Sequence, residues 1–218
     1  MESYYFIFKI FAYLNTFLLL IYSILSIIVL RTNCSKIIKI VALYLMCSSS
    51  FDLIALVVSN YFPSNLIPPI AYRLCELLII GYLINKFWLK SKLGWFLICL
   101  SGSYLVYDLF TWHLKGVLSY EAKAQTAAVI LLVGLIVANL LKQLRKGKEF
   151  SVTNQMLSMV FLAYFSIHLI YTVIQNFILN QSFTDKSFAM FYTSYAVLHI
   201  VYYTALAFIL FKSLKKHK

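Results

Sequence analysis

This 218-residue sequence contains little charge and few of the residues that interrupt helices. Only 12% of its residues are charged, and it has seven acidic residues, six glycines and three prolines. A soluble domain carries charge on about a quarter of its residues. A chain that is 62% hydrophobic and so poor in charge is therefore excluded from the ordinary water-soluble classes. The scarcity of glycine and proline favours long, uninterrupted helices.

Linkers and reactive motifs are missing as well. No Gly-, Ser- or Pro-rich linker, low-complexity tract or soluble-length segment marks a second domain. The four cysteines show no CxxC spacing, so we interpret them as free packing residues and predict neither a metal site nor a cofactor. The N-terminus lacks a cleavable signal pattern, and we expect the first helix to remain as an anchor.

Seven apolar stretches of about twenty residues fill the chain, which is the length that crosses a hydrocarbon core of about 30 Å. The sequence therefore predicts an all-α membrane protein, a seven-transmembrane-helix bundle that forms one domain over residues 1–218. The predicted helices lie near residues 5–30, 37–61, 69–88, 92–113, 124–144, 153–178 and 188–212.

The net charge of +12 is distributed unevenly between the predicted loops. Fourteen of the 19 Lys and Arg residues lie in the connections after the first, third and fifth helices or after the seventh. Basic loops stay on the cytoplasmic side, so this pattern predicts the N-terminus outside and the C-terminus in the cytoplasm. We expect these cations to contact anionic lipid headgroups at the cytoplasmic face, and we predict no nucleic-acid partner.

Polar residues inside the predicted spans gather toward the outer part of the bundle. An ionisable side chain in lipid is costly and needs a partner or a function. Nine residues are therefore candidates for ligand binding, and none is assigned as catalytic: Asn15, Asp52, Arg73, Glu76, Asp108, His168, Tyr171, Tyr195 and His199.

Helical spacing places several of these residues on shared faces. Four residues of the sixth helix share one face, namely Tyr164, His168, Tyr171 and Gln175. Four residues of the seventh helix do the same, namely Tyr192, Tyr195, His199 and Tyr202. Such faces point away from lipid, which predicts a Tyr-rich polar cavity open to the outside. The alternative interpretation is local packing, in which Arg73 and Glu76 form only an i, i+3 ion pair.

Two known seven-helix classes do not fit the residues. A retinal protein needs a lysine in the middle of the last helix, and this helix has none between Lys186 and Lys212. The zinc-dependent membrane hydrolases carry HxxxH on that helix, whereas the matching positions here are His199 and Tyr203.

Two segments do carry a resemblance. AYRLCELLIIGYLINKFWLK in the third helix and LHIVYYTALAFILFKSLKK in the seventh are similar to helices of small uncharacterised seven-helix bacterial membrane proteins. This resemblance implies a multi-pass protein of a bacterial inner (plasma) membrane and implies no activity. The high content of Ile, Lys, Tyr and Phe also fits a bacterial coding bias.

Three functions remain open from the sequence. The first is a non-catalytic module that binds a small ligand, a lipid or a partner membrane subunit through the predicted cavity, as a sensor or accessory subunit. The second is a small-solute secondary transporter, although carriers often use Gly- or Pro-interrupted helices near the midplane. The third is an intramembrane lipid-modifying enzyme that uses a buried carboxylate and a histidine as acid and base.

Overall fold

A computed structural model describes residues 2–61, 67–111, 122–146, 151–180 and 185–215. Throughout these residues the regular structure is helical. A π-helical segment, Ile84–Leu89, continues directly from α3. The α-helices are α1 Glu2–Arg31, α2 Lys36–Tyr61, α3 Ile67–Leu83, α4 Lys92–Thr111, α5 Lys123–Lys146, α6 Val152–Asn180 and α7 Asp185–Lys215.

Six of these helices are long and apolar enough to cross a membrane: α1, α2, α4, α5, α6 and α7. This is the character of a multi-pass helical membrane protein. The remaining helix, α3, has 17 residues before its π-helical continuation and carries Arg73 and Glu76 in its sequence.

The helices occur where the sequence predicts them, but most extend beyond the predicted ends. The predicted seventh helix, 188–212, runs from Asp185 to Lys215, and the predicted first helix, 5–30, runs from Glu2 to Arg31. The apolar run marks only the part of a helix that hydrocarbon would surround, whereas backbone hydrogen bonding continues into polar residues at both ends. The last two residues of the predicted fourth helix, 112 and 113, lie outside the described residues.

Two prolines occupy the first turn of α3. The predicted helix 69–88 would make Pro69 the first helical residue. The helix begins at Ile67 instead, so Pro69 is its third residue. The first N–H groups of a helix have no intrahelical acceptor, so Pro68 and Pro69 remove no helical hydrogen bond there.

The chain divides into two compact units, which are described separately. Unit 1 comprises Met1–Leu53 and Ile174–Lys218, and unit 2 comprises Ile54–Val173. Unit 1 therefore contains α1, most of α2 and α7, and unit 2 contains α3, α4, α5 and most of α6.

In unit 1, α1 and α7 pack side by side and run in the same direction. The Phe8 and Tyr192 rings meet edge to face with their centroids 6.1 Å apart. Further along both helices, the Tyr22 hydroxyl and the Thr204 Oγ1 are hydrogen-bonded at 2.8 Å. The contacting residue number rises on both helices together, which is the signature of parallel packing.

In unit 2, α3 and α4 form an antiparallel hairpin. Three glycines mark the register, because each lies where the facing side chain comes close. A Cβ on Gly94 would lie 2.6 Å from the Asn85 Oδ1, and a Cβ on Gly81 would lie 3.2 Å from the Ile98 Cδ1. A Cβ on Gly102 would lie 3.8 Å from the Leu74 Cδ1. Contacts at higher residue numbers on α4 therefore involve lower residue numbers on α3, which shows that the two helices are antiparallel.

The turn between these two helices is fixed by hydrogen bonds. The Asn85 Nδ2 donates to the Ser91 carbonyl at 2.9 Å, and the Ser91 N–H donates to the Asn85 Oδ1 at 3.1 Å. Lys90 adopts the left-handed conformation (φ 55°) and donates its N–H to the Asn85 carbonyl at 2.6 Å. The ammonium of Lys142 on α5 donates to the carbonyls of Trp88 and Leu89. It thereby satisfies carbonyls that have no intrahelical donor at this helix end.

Candidate functional site

The centre of the candidate site in unit 2 is an ion pair on α3. Arg73 and Glu76 are three residues apart, so they lie one above the other on one helix face. Their side chains form a salt bridge, with only 4% and 0% of the two side chains exposed. The Tyr72 hydroxyl also donates to the Glu76 Oε1 at 3.2 Å. The predicted pair therefore forms, and it is buried.

The tertiary fold adds His168 of α6 to this pair. The Arg73 Nη2 and the His168 Nε2 are hydrogen-bonded although the residues are 95 positions apart, and His168 is buried. A guanidinium can only donate, so the Nε2 must accept and the proton of the neutral ring sits on Nδ1. Arg73 thus lies between a carboxylate and an imidazole. We call Arg73, Glu76 and His168 the polar cluster.

An aromatic side chain supports the histidine of the polar cluster. The Tyr164 ring stacks on the His168 ring with centroids 5.3 Å apart and an interplanar angle of 26°. Tyr164 lies four residues before His168, so both belong to the face of α6 that the spacing predicted. Tyr171 lies on the same helix and is half-buried.

Asp108 of α4 lies in the same unit as Arg73. Extended to Asp108, the register of the α3–α4 hairpin pairs it with residues 68–71, about 3–8 Å from the level of Arg73 along the helix axis. Asp108 is buried, with 6% of its surface exposed. Unit 2 thus holds five of the nine candidate residues, and three of them form the polar cluster.

Unit 1 holds the other four candidate residues, Asn15, Asp52, Tyr195 and His199. The Thr16 hydroxyl donates to the Asp52 Oδ2 at 2.5 Å and thereby links α1 to α2. The neighbouring Asn15 is buried. On α7 the Tyr195 and His199 rings lie with centroids 4.3 Å apart.

The parallel register of α1 and α7 places these residues at one level. Tyr22 of α1 is hydrogen-bonded to Thr204 of α7, which lies 182 positions further along the chain. With that offset, His199 lies level with about residue 17 of α1, so it is within about 3 Å of the level of Thr16. Unit 1 thus has its own polar layer. The prediction that all nine residues line one cavity stays a prediction.

Sequence reasoning missed two members of these sites. Thr16 was not selected, although it is a hydroxyl residue directly after Asn15 in an otherwise apolar helix. Tyr72 was not selected either, although its position four residues before Glu76 puts it within reach of the carboxylate.

The polar cluster offers hydrogen-bond donors and one carboxylate with no net charge. Arg73 supplies a planar cationic group of the kind that recognises carboxylates and phosphates. Within the described residues, no group of three or more His, Cys, Asp and Glu side chains could hold a metal ion. The four cysteines are free, with Cys75 half-buried between Arg73 and Glu76 in the sequence.

Comparison with known proteins yields no relative. No protein-family model matches the chain, and neither a curated protein nor a solved structure matches it.

Proposed function

We propose that this protein is a non-catalytic membrane module that binds a small ligand, a lipid or a partner subunit at the polar cluster, as a sensor or accessory subunit. It forms one seven-helix domain in a bacterial inner (plasma) membrane, with its N-terminus outside and its C-terminus in the cytoplasm. The single observation that carries the binding role is the contact between the buried Arg73–Glu76 pair and His168.

The hairpin of unit 2 supports a seventh crossing by α3. The spanning helix α4 is matched by α3 from Asn85 opposite Gly94 to Leu74 opposite Gly102. Over this matched stretch, which is about 12 Å long, α3 follows the same depth as α4. Counted with its π-helical continuation, Ile67–Leu89, it extends about 34 Å, which exceeds the hydrocarbon thickness.

The packing of unit 1 supports the same count independently. Both α1 and α7 are long and apolar enough to span, and they run parallel. The first and last spans of a chain run in the same direction only when the total number of crossings, with both of these spans included, is odd. Six crossings would make them antiparallel.

The charge distribution supports the orientation. Lys86, Lys90 and Lys92 are all exposed at the turn between α3 and α4. This turn lies at the same end of unit 2 as Lys142, which bonds the carbonyls that precede it. By the positive-inside rule, this end faces the cytoplasm.

The burial of the polar cluster supports a binding role. A buried ion pair is often no more stabilising than apolar residues of similar volume, so stability alone gives little reason to keep one. Ionisable residues inside a membrane usually line a binding site or pathway. We infer that Glu76 lies toward the outer end of the span, since the α3–α4 register sets it about 12–17 Å from the level of Thr111, at the end of α4 away from the basic turn.

The test is a comparison of what binds to the purified full-length chain. The protein is extracted in a mild detergent, and bound small molecules, lipids and membrane subunits are quantified by mass spectrometry. We expect one stoichiometric ligand or subunit that Glu76→Gln releases and that Glu2→Gln, at the first residue of α1, retains. A wild-type protein without any stoichiometric companion, or an equal yield from both variants, refutes the proposal.

A further inference from the structure

A groove on the surface of unit 2 lies between α4 and α5. Its cavity volume is about 580 Å³. It is lined mainly by apolar side chains, among them Leu97, Leu100 and Tyr104 of α4 and Ala127 and Leu131 of α5. None of these residues belongs to the polar cluster, so the groove is a separate feature of the molecule.

The groove is open at the surface of two helices that are long and apolar enough to span a membrane. Leu100 is 58% exposed and Tyr104 is 41% exposed. In a bilayer these side chains face hydrocarbon, so the occupant of the groove is a hydrocarbon chain. The Ser101 hydroxyl also lines the groove, and in the described part of the chain it has no hydrogen-bond partner.

A face of α5 made of small residues continues the groove toward the basic end of the unit. Gly134 and Ala138 follow Ala127 and Leu131 at helical spacing, and both are exposed. A Cβ on Gly134 would meet no atom within 4 Å. The surface at Gly134 is therefore open next to the groove.

A cation lies further along this face. Arg145 lies 18 residues after Ala127, which is five full turns, so both residues are on the same face of α5. Its side chain is exposed. The exposed Lys90 and Lys92 lie at the same end of unit 2. An apolar groove that leads to several cations complements a molecule with an apolar chain and an anionic head.

The dimensions fit one phospholipid. Along α4, the groove-lining residues Leu97 to Tyr104 lie about 8 to 18 Å from Lys92. Half of a hydrocarbon core is about 15 Å thick. Along α5, the groove-lining residues Leu131 and Ala127 lie about 21 and 27 Å from Arg145. A single acyl chain that starts at the level of Lys92 therefore covers most of the groove along α4, with its phosphate between the levels of Lys92 and Arg145.

We propose that this groove is a specific site for an anionic phospholipid, with one acyl chain between α4 and α5 and the phosphate at Arg145, Lys90 and Lys92. The site is formed by helices of unit 2 that are long and apolar enough to span a membrane. It does not depend on a ligand at the polar cluster, and Glu76→Gln leaves this lipid in place.

The experiment measures lipid binding to the full-length protein by native mass spectrometry. Phosphatidylglycerol and phosphatidylcholine with identical acyl chains are added separately to protein in a mild detergent. We expect one tightly bound lipid, with phosphatidylglycerol preferred by at least about five-fold, since a basic residue near the surface adds about that factor. Arg145→Gln reduces this preference by about five-fold, whereas Lys123→Gln, at the opposite end of α5, does not change it.

A second pair of variants tests the groove itself. Ala127→Phe fills the groove and abolishes tight binding of both lipids, whereas Ile130→Phe, at a 54% exposed neighbour that does not line it, retains binding. Leu100→Trp fills the groove from an exposed position, so it tests the same point if Ala127→Phe does not fold. Retention of the lipid by both groove-filling variants overturns the proposal. A dimer that they dissociate also overturns it and assigns the groove to a second copy of the chain.

Discussion

Replacing Glu76 by leucine should destabilise the protein strongly, because the change removes the carboxylate that neutralises Arg73 in the interior of unit 2. Glu76 is fully buried and Arg73 is 4% exposed, so water cannot take over the role of the lost partner. Removal of one member of a buried ion pair costs about 3–5 kcal/mol. The Tyr72 hydroxyl would also lose its acceptor, which lies 3.2 Å away.

The matched variant replaces both charges. Arg73→Met combined with Glu76→Leu removes the cation together with the anion, so the cost of an uncompensated buried charge disappears. The double variant still removes the hydrogen bond from Arg73 to the His168 Nε2, at a cost of about 1–3 kcal/mol. We therefore expect the double variant to be more stable than Glu76→Leu alone.

The assay is thermal unfolding in a mild detergent, followed by circular dichroism. For a chain of this size, a loss of 3–5 kcal/mol lowers Tm by about 6–20 °C. If Glu76→Leu unfolds within about 2 °C of the wild-type protein, the carboxylate does not neutralise Arg73 and the polar cluster is not formed as described. If the double variant is less stable than the single variant, the reasoning from charge burial is wrong.

Three further predictions concern other parts of the molecule. Gly94→Ala should destabilise the α3–α4 turn by about 1–3 kcal/mol, because the new Cβ would lie 2.6 Å from the Asn85 Oδ1. The control Gly134→Ala should not destabilise the protein, since its Cβ meets no atom within 4 Å. If both variants unfold at the same temperature, the register of α3 and α4 is wrong. Thr16→Val lowers stability by about 0.6–1.7 kcal/mol through loss of the bond to Asp52, and Thr16→Ser should restore it in the same unfolding assay. A reporter fused after the last residue should be active only in the cytoplasm, and periplasmic activity would reverse the proposed orientation.

The candidate site was only partly accessible from the sequence. The pairing of Arg73 with Glu76 followed from helical spacing alone, because residues three apart always share a face. The contact of Arg73 with His168 could not be predicted, since no spacing rule relates residues on two helices separated by 95 positions. Thr16 was missed for the same reason, as its importance comes from Asp52 on the next helix.

The turn after α3 was also beyond prediction. Leu83, Asn85 and Trp88 gave no sequence signal for a π-helical segment, because an α-helix and a π-helix tolerate the same apolar residues. The tight turn depends on Asn85 and Ser91 bonding each other and on Gly94 leaving room for them. Only the arrangement of both helices reveals that these residues act together.

The sequence by itself determined that this chain is helical and built of apolar segments long enough to cross a membrane. Such a segment must satisfy its backbone hydrogen bonds internally, so composition and length suffice to specify a helix. The tertiary structure alone decided which polar side chains meet, that α1 packs against α7, and that a groove lies between α4 and α5. These features depend on how helix faces pack against each other, and local sequence patterns do not encode the choice of partner.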